Sequence, residues 1–386
     1  MTQISDRLNG LVQSDIRRMS RECDAVGGIN LGQGICDLPT IPELIEGACD
    51  AIAGSKATYS KMEGIDLLRE RIAAKMEKFN RVKVDPAREL VVTVGSTGGF
   101  ASAAMATLNP GDEVILFEPY YGYHLNTLRL LGVVTKYVPL RQPDWSIDFD
   151  LLRRTFSSKT KGIVVCTPSN PCGKVFTPEE LQKIGALCRE FGAWAYTDEI
   201  YEYIVYDGRR HVSMASLPEN RDITITVSGF SKTFSVTGWR IGYVAASPRI
   251  AGPIGLVNDL FYVCAPTPLQ WGIARGLEIG DDYYRQLATD YQKKRDMLAS
   301  ALEEGGFTPF VPQGAYYMLA EIPGDMKDDR EAAQTLLNEA RVASVPGSAF
   351  YASDRGKRLL RFCFAKDFGA LEEACKRIRA FRTATV

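Results

Sequence analysis

The chain lacks any CxxC pair, although it carries nine cysteines, at positions 23, 36, 49, 166, 172, 188, 264, 363 and 375. Scattered and odd in number, they signal neither a zinc site nor a redox dithiol, and they suit an intracellular protein with reduced thiols. Histidine is scarce: His124 and His211 are the only two, and nothing around either points to catalysis. Charge of one sign is not in excess. The formal net charge is -1, and no Lys/Arg block supplies the basic footprint that a nucleic-acid binder needs. No apolar run approaches a membrane span, and the N-terminal "MTQISDRLNGLVQSDIRRMS" lacks the apolar core of a signal peptide. Repeats, low-complexity tracts and Pro/Gly-rich linkers are missing as well. The expectation is a soluble cytoplasmic protein that binds neither nucleic acid nor membrane.

What is there is a chain of 386 residues, 45% hydrophobic, which suits two domains and a core that needs no metal or disulfide staple. Short apolar runs alternate with longer amphipathic ones. "ELVVTV" (89–94), "EVILF" (113–117), "KGIVVC" (161–166), "AWAYT" (193–197) and "ITITV" (223–227) read as strands, with another at "IGYVAAS" (241–247). Several are apolar on both faces, as a covered parallel sheet requires. Between them lie helical stretches such as 177–192, with Thr177 as N-cap, Pro178 in the first turn and Gly192 past the end. Strand then helix, repeated, predicts an α/β fold with a mainly parallel sheet. The character changes near residue 280. A long charged helix (283–306) is followed by "AYYMLAEI" (315–322), a helix near 330–341, "LLRFCFA" (359–365) and a final helix from 368. This second part reads as a smaller α+β unit.

Ligands of an open α/β sheet bind beyond the carboxyl ends of its strands, so the residues after each strand carry the functional argument. "GSTGGF" (95–100) opens a helix with small residues: either an anion cradle or a plain capped turn, and the glycine spacing does not match G-x-G-x-x-G. Tyr120, Tyr121 and Tyr123 crowd the next strand end, as ring platform or as core. Asn170 sits in the turn "TPSNPCG" and offers an amide; Asp198 follows another strand, as ligand or as cap, with Tyr201 beyond it. Lys232 lies in "SGFSKTFSVTGWRIGY", among small and aromatic residues, with Arg240 eight positions on. Each cue has an ordinary structural explanation. Together they set an anion cradle, a ring platform, a carboxylate, a phenol, a lysine and an arginine on one sheet edge. A phosphorylated pyridine aldehyde needs that set: an amine to form a Schiff base, a carboxylate for the ring nitrogen, and a guanidinium for the phosphate.

The ordered set "NPCG", "DEIY", "SKTFSVTGWRIGY" resembles the fold-type I pyridoxal-phosphate enzymes, and within them the class I/II aminotransferases, from "NLGQGICDLP" (30–39) to "LLRFCFA". The resemblance implies pyridoxal 5'-phosphate as cofactor and a mixed, mainly parallel seven-stranded sheet flanked by helices. It also implies a smaller α+β domain built from both chain ends, giving segments 1–45, 46–280 and 281–386. Lys232 would be the Schiff-base lysine and proton shuttle, Asp198 the partner of the ring nitrogen, and Tyr201 and Asn170 donors to the ring's phenolic oxygen. Tyr121 would stack on the ring, and Ser96, Thr97, Gly98, Ser231 and Arg240 would surround the phosphate. Arg361, in preference to its neighbour Arg358, would clamp the substrate α-carboxylate together with the Gly34 N–H, and Asn170 would join them in binding the substrate. Tyr59 would reach the phosphate of a partner subunit, which implies a homodimer. Two positions depart from the family's habit: Gly229 replaces a hydroxyl residue three before the lysine, with Ser228 adjacent, and Cys36 replaces a proline. The activity implied is ping-pong transfer of an amino group from an L-amino acid to a 2-oxo acid. A β-lyase on the same fold, a nucleotide-binding oxidoreductase and a non-catalytic binding module are the rival readings. Arg17, Arg18 and the Tyr120–Tyr123 cluster leave the substrate's side chain open.

Overall fold

The computed structural model describes residues 5–8, 15–36 and 38–383; the remainder of the N-terminal stretch considered above as a leader lies outside them. The first elements are α1 (Asp15–Ala25), β1 (Ile29–Asn30), α2 (Pro42–Ala53) and α3 (Asp66–Lys75). Then strands and helices alternate: β2 (Leu90–Val94), α4 (Gly95–Thr107), β3 (Glu113–Glu118), α5 (Gly122–Leu130), β4 (Val134–Pro139) and α6 (Phe149–Thr155). They continue as β5 (Thr160–Cys166), α7 (Pro178–Phe191), β6 (Trp194–Asp198), β7 (Thr224–Gly229), β8 (Ile241–Ala245), α8 (Pro248–Tyr262) and α9 (Thr267–Gly276). The last stretch holds α10 (Asp281–Glu304), β9 (Thr308–Phe310), β10 (Tyr317–Glu321), α11 (Asp329–Ala340), β11 (Val342–Ala343), β12 (Val345–Pro346), β13 (Leu359–Cys363) and α12 (Phe368–Thr383).

Seven strands form one sheet in the order β2-β8-β7-β6-β5-β3-β4. All neighbours among β3 to β7 pair in parallel, while β8 runs antiparallel to both β7 and β2. The sheet is mixed, as expected, and six strands present their carboxyl ends along one edge. Alternate residues feed two cores. Ile115, Phe117, Ile163 and Val165 pack with Leu181 and Ile184 of α7, whereas Val114, Leu116, Val164 and Val227 pack with Phe100 of α4 and Leu128 of α5. Burial on both faces explains why these strands read as unbroken apolar runs. The predicted caps of α7 are present. Thr177 accepts from Glu180 N–H, Glu180 returns a bond to the cap, and Gly192 closes the helix at φ 67°.

A second sheet, antiparallel and four-stranded, has the order β12-β13-β10-β9. Its core joins Leu298 and Leu302 of α10, Leu336 of α11, Phe362 of β13 and Leu371 of α12. Met19 and Cys23 of α1 enter the same core, and β1 pairs in parallel with β11. Among the described residues, no helix is long and apolar enough to cross a membrane.

Candidate active site

Because β2, β3, β5, β6 and β7 run the same way, the residues just past their ends meet at one edge. The antiparallel β8 brings its start, and therefore Arg240, to that same edge. A cavity of about 540 Å³ opens there. Lys232, Ser231, Asp198, Tyr201, Asn170 and Tyr121 line it, as do Ser96, Thr97, Arg240, Gly34 and Arg361. Gly98 does not: it is buried inside α4, where an added Cβ would meet the Tyr262 ring at 3.4 Å. Tyr59, expected at a partner subunit's phosphate and not at this chain's own, lies outside the cavity, 81% exposed.

At one end is the first turn of α4. The opening N–H groups of a helix have no carbonyl four residues back to bond. That of Gly95 donates to the Arg240 carbonyl at 2.9 Å, which leaves those of Ser96 and Thr97 at the cavity. Gly95 has φ +65°, and a Cβ on it would stand 2.5 Å from Arg240 Nη2. Glycine is required there twice over, by backbone conformation and by the guanidinium laid across it. A cradle of amides, hydroxyls and a guanidinium, kept open by a missing Cβ, suits a phosphate.

The Lys232 amine donates to the Gly34 carbonyl at 3.3 Å and sits 5.5 Å over the Tyr316 ring. Burial pushes its pKa from 10.5 down to about 8; Arg240 adds to the effect, while Cys363, Cys36 and Asp198 oppose it. Asp198, at the end of β6, is buried, with Oδ2 at 3.0 Å from His124 Nε2 and Oδ1 accepting from Ile200 N–H at 3.3 Å. Tyr121 lies edge-on to the same histidine, ring centroids 5.2 Å apart. His124 therefore braces two site residues, a role the sequence reading missed. The available signal was helical spacing, since His124 follows Tyr121 by three residues at the start of α5 and so shares its face. Tyr317 was also missed; its hydroxyl accepts from Tyr201 at 3.3 Å and occupies the space a Cβ on Gly34 would need.

Arg361 is 1% exposed on β13. Its Nη1 donates to Asn170 Oδ1 at 3.0 Å, its Nη2 to the Gly32 carbonyl at 2.6 Å, and its Nε has no partner among the described residues. The plane rests over Tyr317 and Phe350, at 4.2 and 4.7 Å. Burying a guanidinium without a carboxylate is costly unless an anion arrives. Arg358 is different: it donates to the carbonyls of Met326, Ile322 and Pro323 and ties loops together. Arg17 lines the cavity, whereas Arg18 pairs with Asp15 and Glu22.

The two departures also have structural explanations. A side chain at Gly229 would meet the Gly242 Cα at 2.9 Å, because β7 and β8 close tightly there. The Ser228 hydroxyl turns away, donating to Glu202 Oε1 at 3.2 Å, so neither residue reaches the cavity. Cys36 is buried against Ser235 and Tyr291.

Residues 26–378 match the family described as aminotransferase class I and II. Kynurenine–oxoglutarate transaminase 3 of Rattus norvegicus is 32% identical over 401 residues, covering 95% of this chain and 88% of that one. The structure of N-succinyldiaminopimelate aminotransferase from Mycobacterium tuberculosis superposes with a TM-score of 0.94 at 31% identity, covering 98% and 100% of the two chains. An Escherichia coli protein with a methionine aminotransferase function superposes at 0.95 with 30% identity, covering 98% and 100%. Enzymes of this family use pyridoxal 5'-phosphate, and the cavity's donor set fits that group: an amide-lined cradle under Arg240, a buried carboxylate and an amine depressed by burial. The chain belongs to the class I and II aminotransferases and is a pyridoxal-phosphate-dependent enzyme that moves an amino group from an amino acid to a 2-oxo acid.

Proposed function

We propose the following roles in that transfer. Lys232 holds the cofactor's carbonyl carbon and moves the proton at the substrate Cα. Asp198, braced by His124, keeps a proton on the ring nitrogen, and Tyr121 covers one ring face. Tyr201 and Asn170 hydrogen-bond the phenolic oxygen. Ser96, Thr97, Gly98, Ser231 and Arg240 surround the phosphate, Gly98 from within α4 and the others from the cavity wall. Arg361 and Gly34 take the substrate α-carboxylate. When bound, the cofactor supplies an electron sink for the pair left at Cα as its proton departs. The chain supplies the rest. Arg361 fixes the carboxylate and so the direction of the Cα–H bond, and Lys232, its pKa lowered to about 8, is free base in a useful fraction near neutrality.

The observation that carries this reading is Arg361. A buried guanidinium without a carboxylate partner among the described residues faces the same cavity as the depressed lysine. Arg361→Gln should raise KM for every amino donor by about 10- to 100-fold, the value of a charge-assisted pair of hydrogen bonds. Steady-state kinetics on several donors checks this; an unchanged KM for all of them would place the carboxylate elsewhere.

The homodimer belongs to the same proposal. Leu256, Leu260 and Phe261 of α8 are 63%, 80% and 58% exposed. Tyr59 is exposed as well, and Gly255 of α8 lies near Met62, so both stretches share a face. An apolar face of this kind fits a second copy of the chain. Light scattering should give twice the chain mass, and Leu260→Asp should shift it toward the monomer; a wild-type monomer of full activity would contradict the dimer. The division into 1–45, 46–280 and 281–386 draws support from the pairing of β1 with β11. The nine cysteines, all free, support a cytoplasmic setting.

A further inference from the structure

Loop 31–36 leads from β1 along the cavity floor, and its carbonyls are spent on the site. Leu31 O accepts from Cys363 N–H at 2.6 Å and Gly32 O from Arg361 Nη2 at 2.6 Å. Gly34 O accepts from Lys232 Nζ at 3.3 Å and from the Tyr316 hydroxyl at 3.1 Å. A carbonyl can aim a long side chain only if its own segment is fixed. Past Leu31 the Asn30 side chain holds the near end, its Oδ1 accepting from the Gly32 and Gln33 N–H groups at 2.9 and 3.0 Å. The Cys36 side chain holds the far end, beyond Gly34: its thiol lies 2.9 Å from Ser235 Oγ and 2.9 Å from the Tyr291 hydroxyl, and the residue is 6% exposed. Both partners matter. Ser235 stands three residues past Lys232 at φ +58°, a conformation costly for any residue but glycine, so the turn that carries the lysine needs an external hold. Tyr291 belongs to α10 and is buried. The thiol thus joins the carbonyl-bearing loop to the lysine turn and to α10.

We propose that Cys36 is a positioning residue of the transamination site: its thiol, bonded to Ser235 and Tyr291, fixes the far end of the loop and so holds Gly34, whose carbonyl aims Lys232. This rests on the roles proposed above for Gly34 and Lys232. A thiol can donate one hydrogen bond and accept another, so it can bridge two hydroxyls. Proline, the residue the family resemblance sets here, has no side-chain polar atom and cannot. A hydroxyl at position 36 should therefore reproduce the device while a methyl group should not.

The test uses Cys36→Ala, Cys36→Ser and Ser235→Ala in the full chain, with two readouts. One is the pH at which half of Lys232 is labelled by trinitrobenzenesulfonate in protein freed of cofactor, followed by peptide mass analysis; it depends on the Gly34 contact whether or not Lys232 binds the cofactor. The other is kcat and KM of the holoenzyme. The Gly34 carbonyl favours the charged amine, so its loss moves the labelling midpoint down from about 8. Cys36→Ala should lower it by roughly half a unit and raise the donor KM about 5-fold, with kcat within about 2-fold. Ser235→Ala, which removes one arm, should shift both readouts less and in the same direction, and Cys36→Ser should stay within about 2-fold of the parent. An unchanged midpoint and KM in Cys36→Ala overturns the proposal, as does Cys36→Ser behaving like Cys36→Ala, which would make side-chain volume the cause. If Cys36→Ala does not fold, an unchanged Ser235→Ala overturns it. Failure of the Lys232 assignment reads out separately, as cofactor found on another residue.

Discussion

Lys232→Ala is expected to lose turnover by roughly 10⁴-fold or more, because in the roles proposed one side chain supplies both the covalent anchor and the general base. Lys232→Arg should fail equally, since a guanidinium stays charged at any working pH. The fold should survive. Lys232 makes one long hydrogen bond, to Gly34, and its amine is held against its preferred charge state by burial. The sign of the stability effect follows. In the unfolded chain this amine keeps its proton to about 10.5, whereas the folded chain releases it near 8. The unfolded state therefore binds more protons between those values, and below 8 the group favours unfolding in full. As pH rises from 8 towards 10.5 that destabilisation disappears. Lys232→Met should raise Tm near neutral pH, and the gain should fade across that window. Melting curves at pH 7 and pH 10 check this, and a loss of stability at pH 7 would contradict the buried-amine account.

Asp198→Ala should cost about 10³-fold in kcat while cofactor binding weakens far less. A carboxylate about 4 Å from a ring nitrogen contributes roughly 4 kcal/mol at an effective dielectric near 20, or about three pKa units on that nitrogen. The cradle at Ser96, Thr97 and Arg240 does not depend on Asp198, so affinity for the phosphate should persist. His124 refines the prediction. Its Nε2 at 3.0 Å from Oδ2 holds the carboxylate in place, so His124→Phe should give a smaller loss of kcat, roughly 10-fold, with the same direction of change. Equal loss of kcat and cofactor affinity in Asp198→Ala would move the aspartate from electrostatics to binding.

Much of this architecture was legible in the chain, and the reasons are specific. The runs at β3 and β5 are apolar on both faces because helices cover both, and such runs are easy to read; β7 instead alternates Thr224, Thr226 and Ser228 with Ile225 and Val227, the period of a strand. β4 was not read from its own residues, because Val134–Pro139 is an edge strand, exposed or half-buried at all but Val138. Edge strands need no continuous apolar run, so "VTKYVP" carries little signal. At the site, the residues just past the strand ends were found because topology alone brings them together. His124 and Tyr317 were missed because their roles depend on side-chain directions across separate elements. Arg361 could be chosen over Arg358 only by resemblance; geometry separates them by what each guanidinium bonds. The departure at Gly229 follows from the closeness of β7 to β8, which leaves no room for a side chain there and which single-strand reading does not show.

The most direct test is chemical. The purified chain, saturated with pyridoxal 5'-phosphate, is reduced with borohydride, digested, and mapped by mass spectrometry. The account predicts one phosphopyridoxyl group per chain, on the peptide containing Lys232, with the parent's absorbance band bleached and activity lost in proportion. Label on another lysine, or a protein that turns over normally with Lys232 unmodified, would contradict it.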